Sequence, residues 1–244
     1  MSALLQVEGL SKRFGGFLAV DAVDLTVHQG ECLGLIGPNG SGKSTLVNCI
    51  CGTLHNELGK VTFDGQAMDG LPAHRRARLG LARSFQLPRP FTSLTVADNL
   101  RIPLLYTVNA RGEAKLSEAQ VGARCGELLE MVGLADRAHR LPGDLTQIEM
   151  RKLELARTMA GSPKLLIADE SMAGLSHAEI DDILVLLKRL NAAGVTIILI
   201  EHIMRAVMAF SERLVVLVAG RKIADGVPAE VIREKEVERA YLGE

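Results

Sequence analysis

The stretch Gly37-Pro38-Asn39-Gly40-Ser41-Gly42-Lys43-Ser44 fits G-x-x-x-x-G-K-[ST], the pattern of a phosphate-binding loop. An apolar run, Cys32–Ile36, precedes it, and residues 45–50 read as the start of a helix. A strand that feeds a glycine-rich turn into a helix N-terminus aims several backbone N–H groups at one point, where the helix dipole adds partial positive charge. Gly37, Pro38, Asn39, Gly40, Ser41, Gly42, Lys43, Ser44 and Thr45 are the candidate nucleotide-binding residues of this cradle. Lys43 is expected to reach the β- and γ-phosphates, and the Ser44 hydroxyl to bind Mg²⁺. Glycines at 37, 40 and 42 permit positive φ and close approach to phosphate. An ordinary strand-to-helix turn needs neither the lysine nor the serine, so carrying both favours the phosphate reading.

Composition narrows the class. At 244 residues the chain is long enough for one large domain or two small ones. Its 28 Lys+Arg and 29 Asp+Glu nearly cancel, which argues against a surface built for nucleic acid or an anionic membrane. With 3% aromatic residues and no Trp, stacking platforms for single-stranded nucleic acid are scarce. The longest apolar runs, 195–200 and 214–219, fall far short of the ~20 residues that cross a bilayer. Residues 1–5 lack the basic segment and apolar stretch of a signal peptide. Cysteines 32, 49, 51 and 125 form no CxxC pair and read as reduced cytosolic thiols.

Along the chain, short strand-like runs at 4–8, 20–27, 31–36 and 60–64 alternate with turns, interrupted by one helix after the phosphate loop. From Pro72 to about Leu141 the pattern turns helical, with a polar break at 109–112 and a helix over 116–132 set by apolar spacing. Strands return at 165–168, 195–200 and 214–218, separated by helices such as 180–190. Continuous apolar strands alternating with helices indicate a buried parallel sheet.

The strand at 165–168 runs into Asp169-Glu170. In such sheets the strand's C-terminal end faces the ligand crevice. Asp169 is then placed to hold the metal and Glu170 to polarise the attacking water, the two parts that phosphoryl transfer needs beside a phosphate loop. One strand later comes Glu201-His202, where His202 is a candidate donor to the γ-phosphate. A histidine at a strand end is commonly structural; its position beyond Asp169-Glu170 favours a catalytic role.

This order of parts resembles the ATPase subunits of ABC transporters over essentially the whole chain. The resemblance implies an α/β fold, a P-loop NTPase of ABC ATPase type. Its mixed sheet would have a parallel core, N-terminal antiparallel strands and an inserted helical subdomain. Residues 1–244 would form one domain, with 1–85 and 161–244 as the two parts of the nucleotide-binding core. Residues 86–160 would be the helical subdomain carrying the signature helix. The cofactors implied are ATP and Mg²⁺. Phe14 sits where the family stacks an aromatic on adenine, and Gln86 looks like the glutamine that senses the γ-phosphate, binds Mg²⁺ and contacts the membrane subunit. Arg13-Phe14-Gly15-Gly16-Phe17-Leu18-Ala19-Val20, Leu199-Ile200-Glu201-His202-Ile203-Met204 and Arg239-Ala240-Tyr241-Leu242-Gly243-Glu244 are most similar to the ATPases of branched-chain amino acid uptake. Implied partners are a second ATPase subunit, membrane-spanning permease subunits and, indirectly, an external solute-binding protein. No nucleic acid is implied, and the expected location is peripheral, at the cytoplasmic face of the inner membrane. The alternatives are an exporter ATPase of the lipopolysaccharide type, or a soluble ABC ATPase acting on DNA or ribosomes. The latter usually has a coiled-coil insertion or two cassettes, which this chain lacks.

The chain departs from the family where it faces a partner's nucleotide. The signature Leu-Ser-Gly-Gly-Gln is replaced by Leu145-Thr146-Gln147-Ile148-Glu149, so both glycines are gone. Thr146 with Glu149 instead fits a capping box. Ser171 stands where the family usually has Pro. Ser176 stands where an Asp usually reaches across the dimer, and with Glu179 it fits a second capping box. These departures favour a heterodimer over a homodimer.

Overall fold

In the computed structural model, which describes residues 2–84, 88–111 and 115–242, the run Cys32–Ile36 is a strand buried along its whole length. The strands are β1 (Ala3–Phe14), β2 (Phe17–His28), β3 (Cys32–Ile36), β4 (Leu58–Phe63), β5 (Gln66–Ala67), β6 (Leu81–Ser84), β7 (Leu165–Asp169), β8 (Thr196–Ile200), β9 (Arg213–Val218) and β10 (Arg221–Gly226). The helices are α1 (Lys43–Cys51), α2 (Ala73–Arg78), α3 (Val96–Pro103), α4 (Glu118–Val132), α5 (Gln147–Ala160), α6 (His177–Ala192), α7 (Met204–Phe210), α8 (Pro228–Val231) and α9 (Lys235–Leu242).

The larger sheet has the order β10-β9-β3-β8-β7-β6. Strands β9, β3, β8, β7 and β6 run parallel, and β10 closes one edge antiparallel to β9. Parallel register places the C-terminal ends together: Ser84 lies beside Ala168, and Asp169 beside Ile200. The chain therefore leaves β3, β7 and β8 on one side of the sheet, at the phosphate loop, at Glu170 and at Glu201-His202. A second sheet, β2-β1-β4-β5, is antiparallel.

Period-2 alternation decides which core each side chain joins. Leu33, Leu35, Ile198 and Ile200 pack with Leu5, Val7 and Leu10 of the antiparallel sheet. Ile197 and Leu199 point into the other core, with Val121, Leu128, Leu153 and Leu187 from α4, α5 and α6. Each fully buried aliphatic side chain contributes about 1.5–3 kcal/mol, so a strand apolar on both faces is held from both sides. All four cysteines are buried and free, and burial pushes the Cys51 thiol up to about 12, which suits core packing rather than reactivity.

Strand β6 corrects the sequence reading, which gave a helical pattern from Pro72 onward. Leu81-Ala82-Arg83-Ser84 is too short to display a period, and only the partner β7 makes it a strand. β10 was likewise not foreseen; its side chains are half-exposed and its pairing with β9 defines it. Helix α4 begins at Glu118, fixed by a capping box between Ser117 and Gln120, close to the expected 116–132. At the end of α3, Pro103 lacks a donor, and the chain widens into one π-helical turn, Leu104–Val108, before a 3-10 turn at Asn109–Arg111.

Candidate active site

At the phosphate loop, glycine is demanded by space. A Cβ on Gly37 would lie 2.1 Å from the Leu217 carbonyl oxygen, and one on Gly42, at φ 101°, would lie 2.4 Å from that of Ala19. Gly42 caps α1 without any side-chain hydrogen bond, and no acidic residue occupies the first turn. The positive end of α1 is therefore left for an anion. The Lys43 ammonium donates to the carbonyl oxygens of Gly37 (2.7 Å) and Pro38 (3.1 Å) and to Ser41 Oγ (3.3 Å). Burial lowers the Lys43 pKa, while the charges of Glu170 and Asp169 oppose that shift.

A cleft of about 240 Å³ is lined by Asn39 to Thr45 on one side and by Phe14, Phe17 and Ala19 on another, with Glu170 completing it. Phe14 and Phe17 face each other across the β1–β2 hairpin and remain 48% and 64% exposed. The structure thus brings two aromatic rings to the cleft rather than singling out Phe14. Lys12 Nζ stands 5.5 Å from the Phe14 ring centroid.

Asp169 closes β7 and is buried. Its Oδ2 accepts from Arg83 Nη2 (2.5 Å) and Nε (3.2 Å), whereas among the described residues nothing donates to Oδ1. Glu170 follows at φ 46°, an uncommon conformation for a side-chain-bearing residue, with its N–H donating to the Ile200 carbonyl (2.9 Å). That turn carries the Glu170 carboxylate to the cleft. Hydroxyl and carboxylate oxygens from Ser44 and Asp169 suit a hard cation such as Mg²⁺. Among the described residues no group of three or more His, Cys, Asp or Glu gathers to hold a metal ion.

His202 lies exposed beyond β8 and is not among the residues lining the cleft. Gln86 lies outside the described residues. Both expected capping boxes form: Thr146 with Glu149 in the signature segment, and Ser176 with Glu179 at the start of α6. Ile148 packs against the helical core. Gln147 Nε2 reaches the Ala173 carbonyl at 3.4 Å and stands 2.7 Å from where a Cβ on Gly174 would be. The bulk that replaces the two glycines is thus partly absorbed within this chain.

Residues not foreseen include Arg83, Arg151, Glu201 and Tyr241. Arg151 Nη2 donates to the same Ala173 carbonyl (3.3 Å). Glu201 is buried behind the site and accepts from the Met172 N–H (2.9 Å). Burial raises the Tyr241 pKa, opposed by the nearby Gly37 backbone N–H. A groove larger than this cleft lies elsewhere, about 420 Å³ and walled by Arg83, Phe91, Ile102, Tyr106, Arg157 and Thr158, among others. It is more apolar in its lining than the phosphate cleft and has no phosphate-binding loop, so the chemistry belongs to the smaller cleft.

The ABC transporter family profile matches residues 20–173. The chain is 39% identical to the high-affinity branched-chain amino acid transport ATP-binding protein BraF of Pseudomonas aeruginosa, over 99% of this chain and 98% of that protein. It is 33% identical to the lipopolysaccharide export system ATP-binding protein LptB of Escherichia coli over the same shares. Among solved structures, the ADP conformation of MJ1267, an ATP-binding cassette of an ABC transporter, superposes with a TM-score of 0.89 at 31% identity and covers all of both chains. The dimeric cassette MJ0796 bound to ADP and phosphate aligns with a TM-score of 0.80 at 25% identity, over 92% of this chain and 98% of that one. With the phosphate loop, the apposed carboxylates and this likeness along its whole length, the chain belongs to the ABC transporter family and is one of its ATPase subunits.

Proposed function

We propose that the chain hydrolyses ATP to drive import of a branched-chain amino acid, or a related small solute, through partner membrane subunits. The observation that carries the catalytic half is the meeting of Lys43, the uncapped start of α1 and Glu170 around one cleft, with Asp169 close enough to act on Lys43. In this reading the loop amides and Lys43 hold the β- and γ-phosphates while Phe14, with Phe17 beside it, stacks on adenine. Bound Mg²⁺ would neutralise charge between those phosphates. Ser44 and Asp169 would hold it, with Gln86 as the third contributor read from sequence. Glu170 accepts the proton of the attacking water as its oxygen bonds the γ-phosphorus and the bond to the ADP oxygen breaks; His202 orients that water.

Glu170→Gln keeps the side chain's shape but removes the base, so ATP binding should persist while turnover falls by about 10²–10⁴-fold. Nucleotide binding measured beside steady-state hydrolysis checks this. Loss of both together rejects the role.

The cargo rests on likeness to BraF, 39% identical against 33% for LptB. Uptake of labelled leucine by cells lacking this chain should be restored by the wild type and not by Lys43→Ala. Leucine uptake that ignores the chain's absence would reject the cargo. We assign the groove beside Arg83, with Phe91 and Tyr106 exposed at it, to the permease, in keeping with a peripheral position at the cytoplasmic face. No helix among the described residues is long and apolar enough to cross a membrane. The altered signature supports pairing with a second ATPase subunit that carries intact glycines.

A further inference from the structure

Arg83 is charged, mostly buried and used by none of the roles above. Its guanidinium joins three elements: Nε and Nη2 lie 3.2 Å and 2.5 Å from Asp169 Oδ2 on β7, and Nη1 lies 2.6 Å from Asn48 Oδ1 on α1, the helix that springs from the phosphate loop. The Arg83 and Asp169 side chains are 15% and 10% exposed. A planar fork anchored at both ends fixes the carboxylate it grips. Buried ion pairs give little net stability, because desolvation offsets the attraction, so stability alone is a weak reason for this one.

We propose that Arg83 is a positioning residue for the divalent cation: it holds Asp169 in one orientation, binding Oδ2 and leaving Oδ1 for the metal. This rests on the ATPase reading in which Asp169 serves the cation. Two effects of removing Arg83 have opposite signs. Losing a positive charge draws a cation in, whereas losing the fork lets the carboxylate turn away. Partners that hydrogen-bond a ligating carboxylate are worth about 10–100-fold in metal affinity, so orientation should win. The same arginine forms part of the wall of the large groove, so whatever occupies the groove touches the side chain that orients the metal ligand.

Mn²⁺ serves as the probe. Its binding to the full chain saturated with a non-hydrolysable ATP analogue is followed by electron paramagnetic resonance, beside the analogue's affinity in EDTA. Arg83→Met and Arg83→Lys should both weaken Mn²⁺ binding by about 10–100-fold while the affinity in EDTA stays unchanged. Asn48→Ala frees one end of the fork without altering charge and should shift Mn²⁺ binding in the same direction; with the lysine variant it decides the matter if Arg83→Met does not fold. Tighter Mn²⁺ binding in Arg83→Met, or wild-type affinity in all three variants, overturns the proposal. Equal losses with and without metal also overturn it, in favour of a structural role. Mn²⁺ binding that Asp169→Asn leaves unchanged would remove the metal role of Asp169 itself, and the proposal with it.

Discussion

Glu201 is a buried carboxyl, 2% exposed, whose Oε2 has no hydrogen-bond partner. Burial pushes its pKa from 4.5 to about 7, with the charges of Glu170 and Asp169 adding to the rise. The folded chain keeps this proton where the unfolded chain has released it. Its stabilising contribution is therefore complete below about pH 4.5 and is lost as the pH rises through about 7. Glu201→Gln retains an acceptor for the Met172 N–H and removes the titration. Thermal melts in chelator without nucleotide should show a flatter pH dependence over that window and a higher melting temperature than wild type above it. Parallel wild-type and variant curves would show that Glu201 does not titrate there. At the cleft mouth, Phe14→Ala should weaken ATP binding by about 1–3 kcal/mol, the range for stacking on a base. Because Phe17 faces the same cleft, the double alanine variant should lose more, and unchanged affinity in the double variant would place adenine elsewhere.

Among the elements, α5 shows how a local device replaces a functional one. Thr146 N and Oγ1 donate to Glu149 Oε2 at 2.8 Å and 3.0 Å, and the Glu149 N–H returns to Thr146 Oγ1 at 3.4 Å. Arg137 holds the same glutamate at 3.0 Å. The hydroxyl that resembles the family's phosphate contact thus serves the helix start. Thr146→Ala should cost about 1 kcal/mol, the usual worth of an N-cap, read as a lower urea midpoint with an unchanged slope. An unchanged midpoint would show that the cap contributes nothing in solution. The box is legible in the sequence because its partners are three residues apart. Strand β6 is not, because its partner β7 lies some eighty residues away and its own four residues carry no period.

For the whole molecule, the departures at 147, 148, 171 and 176 concern what one cassette offers another. Gln147 and Ile148 are engaged within the chain, so an approaching partner meets a signature without bare backbone. The isolated chain is expected to remain monomeric with ATP and to turn it over well below about 1 s⁻¹, the low end of ordinary enzymes. Light scattering with ATP and steady-state hydrolysis check both. Gln147→Gly should raise the activity of the isolated chain, whereas Ile148→Gly empties a half-buried position against the helical core and carries a stability penalty of about 0.5–3 kcal/mol. Wild type that dimerises alone and turns over at about 1 s⁻¹ or faster defeats the heterodimer reading.

The sequence by itself determined the phosphate loop, the Asp169-Glu170 strand end, the buried parallel core and both capping boxes. In each case the residues that act together are neighbours in the chain or follow one period, so spacing alone carries the physics. Tertiary structure decided the rest. It alone set Arg83 across to Asp169 and Asn48, Gln147 against Gly174, and Glu201 beneath Met172. These contacts join side chains far apart in sequence, and no local pattern records them. Those of Arg83 and Glu201 exist because parallel register delivers β6, β7 and β8 to one edge of one sheet, where buried polar groups are brought against partners from neighbouring strands.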